Sequence, residues 1–368
     1  MTKPVSFLRG VPADAVLERL VEAVADGYAE AVRRYGSEVL QYGHFNGFKP
    51  LRTILAGIHD VDPERVVVGN GGLEVISLFL KSLPAGSTLL IEEATYDRVV
   101  LDAMRYGHRL IGVPLGAEGV DLDRLRQAAS RYAPRAFYGI PFHQNPTGIT
   151  YSADNRSAAE RICRDNGMLC VWDICYQSLR YDGRPNDAIS LDEKGPILIN
   201  SFTKTLAPGT KCGYIVVPAD LAADLVAVAA NTRINPNLPT QAFIADFMAS
   251  GDYQRNLETI CSAYRPAMEA FNRSLADHFP GAFPTAVSGG FFSCLTLSSV
   301  AMENETAFVA AARSAGVILS PGWDAVAPNL RAEKRACGSF IRLTFPALTP
   351  DQIRQGLSAL SRVVQSFV

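Results

Sequence analysis

From Arg65 onward the chain alternates short apolar runs with longer stretches in which apolar residues recur every three or four positions. The runs Arg65–Val68, Thr88–Ile91, Leu110–Val113, Ala136–Ile140, Leu169–Asp173, Ile197–Asn200 and Cys212–Val217 read as buried strands. Between them, Leu73–Leu83, Asp97–Tyr106, Asp121–Ser130 and Ala153–Asn166 have the spacing of amphipathic helices. Strand-helix alternation of this kind predicts right-handed βαβ units, hence an α/β chain with a mostly parallel sheet covered on both faces. Ligands of such sheets sit at the carboxyl ends of the strands.

The two ends of the chain are paced differently. Before the sheet comes one helical segment, Ala13–Arg34, with Leu17, Leu20, Val21, Val24, Tyr28 and Val32 at roughly helical spacing. A glycine-broken loop, Tyr42–Gly47, follows, and a helix starts at Leu51. Ala219–Asn231 and Gln241–Asp277 are helical without strand signals and read as a seam. Beyond Pro280 come strands at Phe291–Leu297, Val317–Leu319 and Phe340–Thr344, with helices at Ala301–Ala315 and Asp351–Phe367. The expected division is an N-terminal segment 1–48, a large domain 49–277 and a small α+β C-terminal domain 278–368.

Composition narrows the function classes. With 48% hydrophobic and 20% charged residues the chain is ordinarily globular, and a net charge of -2 argues against nucleic acid as a partner. Seven cysteines without a C-x-x-C spacing fit reduced thiols better than disulfides or a metal site. No run reaches membrane-spanning length and no signal peptide is recognisable, so a cytoplasmic protein without membrane or metal is expected.

The chemistry collects after the strands. Lys204 lies in Ser201-Phe202-Thr203-Lys204-Thr205, a hydroxyl-rich bend between two apolar runs and ahead of Pro208-Gly209. A lysine buried there shifts its pKa down and becomes a nucleophile for carbonyls. Gly69-Asn70-Gly71-Gly72 opens a predicted helix and offers free backbone amides to an anion such as phosphate. It is no dinucleotide fingerprint, because Glu74 stands where the third glycine belongs. Tyr96 follows the strand at 88–91, Asn145 sits in an Asn-Pro-Thr-Gly turn, and Asp173 ends an apolar strand three residues before Tyr176. A carboxylate in that position needs a cationic partner. Taken singly, each feature also has an ordinary structural use as a turn former, a packing aromatic or a surface lysine. Together they match a ligand with a phosphate, a flat ring, a basic ring nitrogen, a phenolic oxygen and an aldehyde. Pyridoxal 5′-phosphate has those features.

On these residues the chain resembles the fold-type I pyridoxal-phosphate enzymes, specifically the class I/II aminotransferases. The resemblance runs over nearly the whole length, and the segment from Ser201 to Gly209 is its most specific part. It implies that Lys204 forms the Schiff base and later shuttles the proton. It also implies that Ser201, Thr203 and the amides of Gly71, Gly72 and Leu73 meet the phosphate. Tyr96 would stack on the ring, Asn145 and Tyr176 would share the phenolic oxygen, and Asp173 would bind the ring nitrogen. Tyr42 with Gly43, Gly47, Leu51 and Arg52 is similar to a segment that crosses a dimer interface and brings Tyr42 to the neighbour's phosphate. Gly289-Gly290-Phe291 and Ser320-Pro321-Gly322 resemble landmarks of the small domain. Arg342 matches the arginine that forks the substrate α-carboxylate, with Asn145 beside it.

The sequence departs from that pattern at three places. Lys211 stands where an arginine usually bonds the phosphate, which keeps the charge but loses the fork. Ala94 replaces a common proline, and Cys175 separates Asp173 from Tyr176. The resemblance implies transamination between an amino acid and a 2-keto acid by ping-pong kinetics. The same residues could instead serve elimination, replacement, cyclisation, decarboxylation or oxidation. A non-catalytic ligand sensor of the kind found in some transcription regulators is disfavoured by the presence of Lys204. Arg9 could meet an acidic side chain, although a surface role is the plainer expectation, and Trp323 and Phe291 could line an apolar pocket or simply pack.

Overall fold

A computed structural model describes residues 4–185, 187–283, 285–297, 304–322, 325–327 and 339–367. Trp323 and Cys337 lie outside them. The centre is a seven-stranded sheet. In chain order its strands are β1 (Val66–Gly69), β2 (Thr88–Glu92), β3 (Arg109–Val113), β4 (Ala136–Gly139), β5 (Leu169–Asp173), β6 (Ile197–Ser201) and β7 (Gly213–Val216). Across the sheet they run β1-β7-β6-β5-β4-β2-β3. All neighbours are parallel except β7, which is antiparallel to both β1 and β6. The apolar run Cys212–Val217 marks β7 as buried but carries no sign of its direction, which Pro208-Gly209 reverses.

Successive strand residues enter opposite cores, as a two-residue period requires. Val67, Ile91, Val171, Ile199 and Ile215 face one, and Val66, Leu90, Trp172, Leu198 and Val216 face the other. The first core continues into a smaller three-stranded sheet made of Phe292–Leu297, Ser339–Thr344 and Ser320–Pro321. The N-terminal stretch joins that end of the molecule, because Val5–Ser6 pairs in parallel with Val317–Ile318. None of the described helices is long and apolar enough to cross a membrane.

Two expected helices are broken. Ala13–Arg34 divides into α1 (Asp14–Glu18) and α2 (Val21–Tyr35). Gln241–Asp277 divides into α3 (Leu238–Ala249) and α4 (Asp252–His278), with Gly251 in the left-handed region at φ 80°. Glycine tolerates that conformation, so the chain can stop and restart there. Asn237 caps α3 by accepting from the Thr240 amide.

Candidate active site

The carboxyl ends of β1, β2, β4, β5 and β6 converge on a cavity of about 660 Å³. Twelve of the thirteen residues that the resemblance places at the cofactor or the substrate carboxylate line it: Gly71, Gly72, Leu73, Tyr96, Asn145, Asp173, Tyr176, Ser201, Thr203, Lys204, Lys211 and Arg342. Tyr42 does not. It is 75% exposed and borders a separate surface hollow with Arg233 and Pro236.

The helix Gly72–Ser82 starts beneath the cavity, with Gly71 as its N-cap at φ 111°. First-turn amides of a helix have no carbonyl to bond inside it, and the helix dipole makes them a place for an anion. The backbone is crowded here. A Cβ added to Gly213 would lie 2.6 Å from the Gly72 nitrogen, and one on Gly72 would lie 3.2 Å from Ser201 Cβ. Glu74 closes the turn by accepting from the Asn70 amide at 2.6 Å and from Asn70 Nδ2 at 3.1 Å, and it pairs with Arg233. Across the hollow, the Ser201 and Thr203 hydroxyls lie 2.9 Å apart. Lys211 is exposed and in the left-handed region at φ 48°.

Asp173 is 5% exposed at the end of β5. Tyr138 of β4 donates to its Oδ2 at 2.9 Å, and the Cys175 amide donates to Oδ1 at 3.2 Å. Burial raises the pKa of this carboxyl, and those hydrogen bonds oppose the rise. Lys204 follows β6, the neighbour of β5. Its Nζ donates to Gly10 O at 2.6 Å and stands 5.3 Å from the centre of the Phe291 ring. Burial lowers its pKa, Cys175 raises it and Arg342 lowers it again. Tyr96 is pushed up to about 12 by burial and by Asp97 and Asp173. Tyr176 is raised by burial first and by Cys175 and Asp173 next.

Arg342 comes from the small sheet and lies 5.0 Å above the Phe292 ring. Its Nη1 donates to Asn145 Oδ1 at 3.5 Å and its Nη2 to Leu8 O at 3.3 Å. Its Nε is buried and without a partner among the described residues. A guanidinium with long bonds and an idle nitrogen has capacity for a planar anion. Asn145 precedes a cis peptide bond to Pro146.

Sequence reasoning passed over several of these groups. Tyr138 sits within an apolar run and read as core. Leu8, Gly10 and Val11 line the cavity, although nothing in their local pattern points to a site; Arg9, the candidate for an acidic side chain, lines it with them. A phosphate cradle, a buried carboxylate beside a phenol, a partly dehydrated amine and an unsaturated guanidinium fit the parts of pyridoxal phosphate and its amino acid partner.

The family described as Aminotransferase class I and II matches residues 2–360. The chain is 28% identical to a 2-aminoadipate transaminase of Thermus thermophilus, over 99% of this chain and 90% of that protein. It is 25% identical to aromatic-amino-acid aminotransferase 1 of Thermococcus litoralis, over 98% and 88%. Among solved structures it is similar to LysN, the α-aminoadipate aminotransferase from Thermus thermophilus, complexed with N-(5′-phosphopyridoxyl)-L-leucine. That match has a TM-score of 0.86 and 27% identity, covering 99% of this chain and 92% of the other.

Proposed function

Since the chain belongs to the aminotransferase class I and II family and is a pyridoxal-phosphate-dependent aminotransferase, we propose that Lys204, Asp173 and Arg342 divide the reaction among them. The observation that carries this reading is their presence in one cavity: Asp173 ending β5, Lys204 following the neighbouring β6, and Arg342 opposite. The amides of Gly71, Gly72 and Leu73, the hydroxyls of Ser201 and Thr203, and the Lys211 ammonium hold the phosphate. Tyr96 covers one ring face, Asn145 and Tyr176 bond the phenolic oxygen, and Asp173 meets the ring nitrogen. When bound, the cofactor supplies an aldehyde for the amine and a ring that accepts the electron pair released at the substrate Cα.

Each protein group then has a defined task. Asp173 holds a proton at the ring nitrogen, and Tyr138 keeps its carboxylate oriented. Lys204 Nζ, its charged form disfavoured by burial, is the base that takes the Cα proton in one half-reaction and returns one in the other. Arg342 forks the α-carboxylate through a bidentate pair and fixes which Cα bond faces the ring. No hydrogen bond or ion pair ties the Arg9 guanidinium to a described residue, and Arg9 lines the same cavity. That supports an acidic amino acid as one substrate, and the name of the Thermus thermophilus relative points the same way.

Three structural readings belong with this proposal. The chain divides into the segment 1–48, a large domain 49–277 and a small domain 278–368; the pairing of Val5–Ser6 with Val317–Ile318 supports the first segment's attachment to the last. The protein works as a homodimer in which Tyr42 serves the neighbouring site. In support, Leu40, Tyr42 and Ile234 are large exposed side chains around one surface hollow. The buried thiols of Cys163, Cys170 and Cys212 support the cytoplasm.

The test is the half-reaction. Holoenzyme mixed with glutamate or 2-aminoadipate and no keto acid should release one keto acid per site and lose its visible band. An added 2-keto acid should restore the band, and Lys204→Ala should show neither change. Keto acid released repeatedly without an acceptor would show elimination in place of transfer.

A further inference from the structure

Glu92 is the last residue of β2 and has 0% of its surface exposed. Four donors occupy it. Oε1 accepts from the Ile140 amide at 2.8 Å and from the Tyr151 hydroxyl at 2.7 Å. Oε2 accepts from Gln144 Nε2 at 2.7 Å and from the Thr95 hydroxyl at 2.9 Å. That number fills the lone pairs of a carboxylate, and all four donors are neutral. Burying a carboxylate without a cation is costly, and well-packed apolar residues of similar volume often do as well or better for stability. Stability alone is therefore a weak reason for this residue.

The origin of the donors gives a better one. Ile140 directly follows β4, Tyr151 lies just ahead of the helix Ala153–Asp165, and Gln144 sits between them, immediately before Asn145. One carboxylate thus closes this loop at its start, middle and end. Gln144 extends the hold, since its Nε2 also donates to Ala94 O at 2.7 Å. Its Oε1 accepts from the Thr147 amide at 2.8 Å and the Thr147 hydroxyl at 2.6 Å. The Asn145–Pro146 turn is held from both sides by a side chain that is anchored on Glu92. The remaining donor, Thr95, precedes Tyr96.

We propose that Glu92 is a positioning residue for amino transfer, fixing Asn145 through Gln144 and Tyr96 through Thr95. This rests on the assignment of Asn145 and Tyr96 to the cofactor. Burial pushes the Glu92 pKa up to about 7 against the pull of its hydrogen bonds, so loss of a donor raises it further and favours protonation of the hub. Glutamine cannot replace it, because a carboxamide would turn an N–H toward groups that are themselves donors.

The experiment titrates the visible band of four holoenzymes against pH: wild type, Glu92→Gln, Asn145→Ala and the double variant. A hydrogen bond to the phenolic oxygen favours its charged form, so losing Asn145 should raise the band's midpoint by about one pH unit. Glu92→Gln should raise it similarly, and the double variant should go no further than Asn145→Ala alone. The exchange Glu92→Gln with Gln144→Glu, which returns a carboxylate to the cluster, should bring the midpoint part of the way back. If Glu92→Gln does not fold, Gln144→Met, which leaves Glu92 three donors, carries the test. A wild-type midpoint in Glu92→Gln with only a lowered Tm, or fully additive shifts, overturns the proposal and makes Glu92 a fold-stabilising group alone. A midpoint that also ignores Asn145→Ala overturns the assignment of Asn145, and the proposal with it.

Discussion

The two walls of the cavity are built differently. On the sheet side, polar groups are bonded to one another before any ligand arrives: Asp173 by Tyr138 at 2.9 Å and by the Cys175 amide at 3.2 Å, and Gln144 by Glu92 at 2.7 Å. On the other side, Arg342 reaches Asn145 at 3.5 Å and Leu8 O at 3.3 Å, and its Nε has no partner among the described residues. The first wall meets the same cofactor at every turnover, so its geometry can be fixed in advance. The second must exchange an amino acid for a keto acid and keeps donors in reserve. Preorganisation where charge is stabilised, and spare capacity where ligands change, is the lesson of the contrast.

Breaking the sheet wall should have the largest effect. Asp173→Asn should lower kcat by roughly a thousandfold while leaving the KM for the amino acid within a few-fold, as measured by steady-state kinetics. Arg342→Lys should do the reverse, raising that KM by about tenfold to a hundredfold with the visible spectrum unchanged, because a point charge replaces a fork. Tyr138→Phe removes one bond from a carboxylate that remains in place. It should cost roughly tenfold in kcat/KM and raise the pKa of Asp173.

The pattern of apolar runs was enough to give the strands of the sheet and the turns that end them. Buried strands read as continuous apolar segments, so Leu169–Asp173 is found residue for residue. The direction of β7 was not legible, nor was the break at Ser250 and Gly251, although that glycine is an ordinary stop signal. Of the site, Lys204, Asp173 and Asn145 stand out because Asp173 ends an apolar run and the other two fall in turns just past one. Glu92 and Tyr138 do not. Apart from Thr95, their partners lie 48, 52 and 59 residues away for Glu92 and 35 for Tyr138, and the order of the strands brings them together. Leu8 and Gly10 escape for the same reason, since the N-terminal stretch reaches the cavity by pairing with the far end of the chain.

The smallest expected effect concerns pH. His143 is fully buried on the loop of the sheet wall, and burial first, then Arg180, lowers its pKa from 6.5 to about 3, with Asp182 opposing. Between those values the unfolded chain binds a proton that the folded chain refuses. Its contribution is therefore complete above about pH 6.5 and is lost as pH falls toward 3. Tm should decline over that range in wild type and decline less steeply in His143→Gln, as read by calorimetry on the holoenzyme.

The contrast between the walls is tested most directly by crystal structures of the holoenzyme with and without a dicarboxylate such as glutarate. Tyr138, Asp173, Gln144 and Asn145 should superpose within about 0.5 Å in the two states. Arg342 should give up Leu8 O and pair through two nitrogens with the ligand carboxylate. A sheet wall that rearranges on binding, or an Arg342 that keeps its bond to Leu8 while the ligand sits elsewhere, would contradict the account.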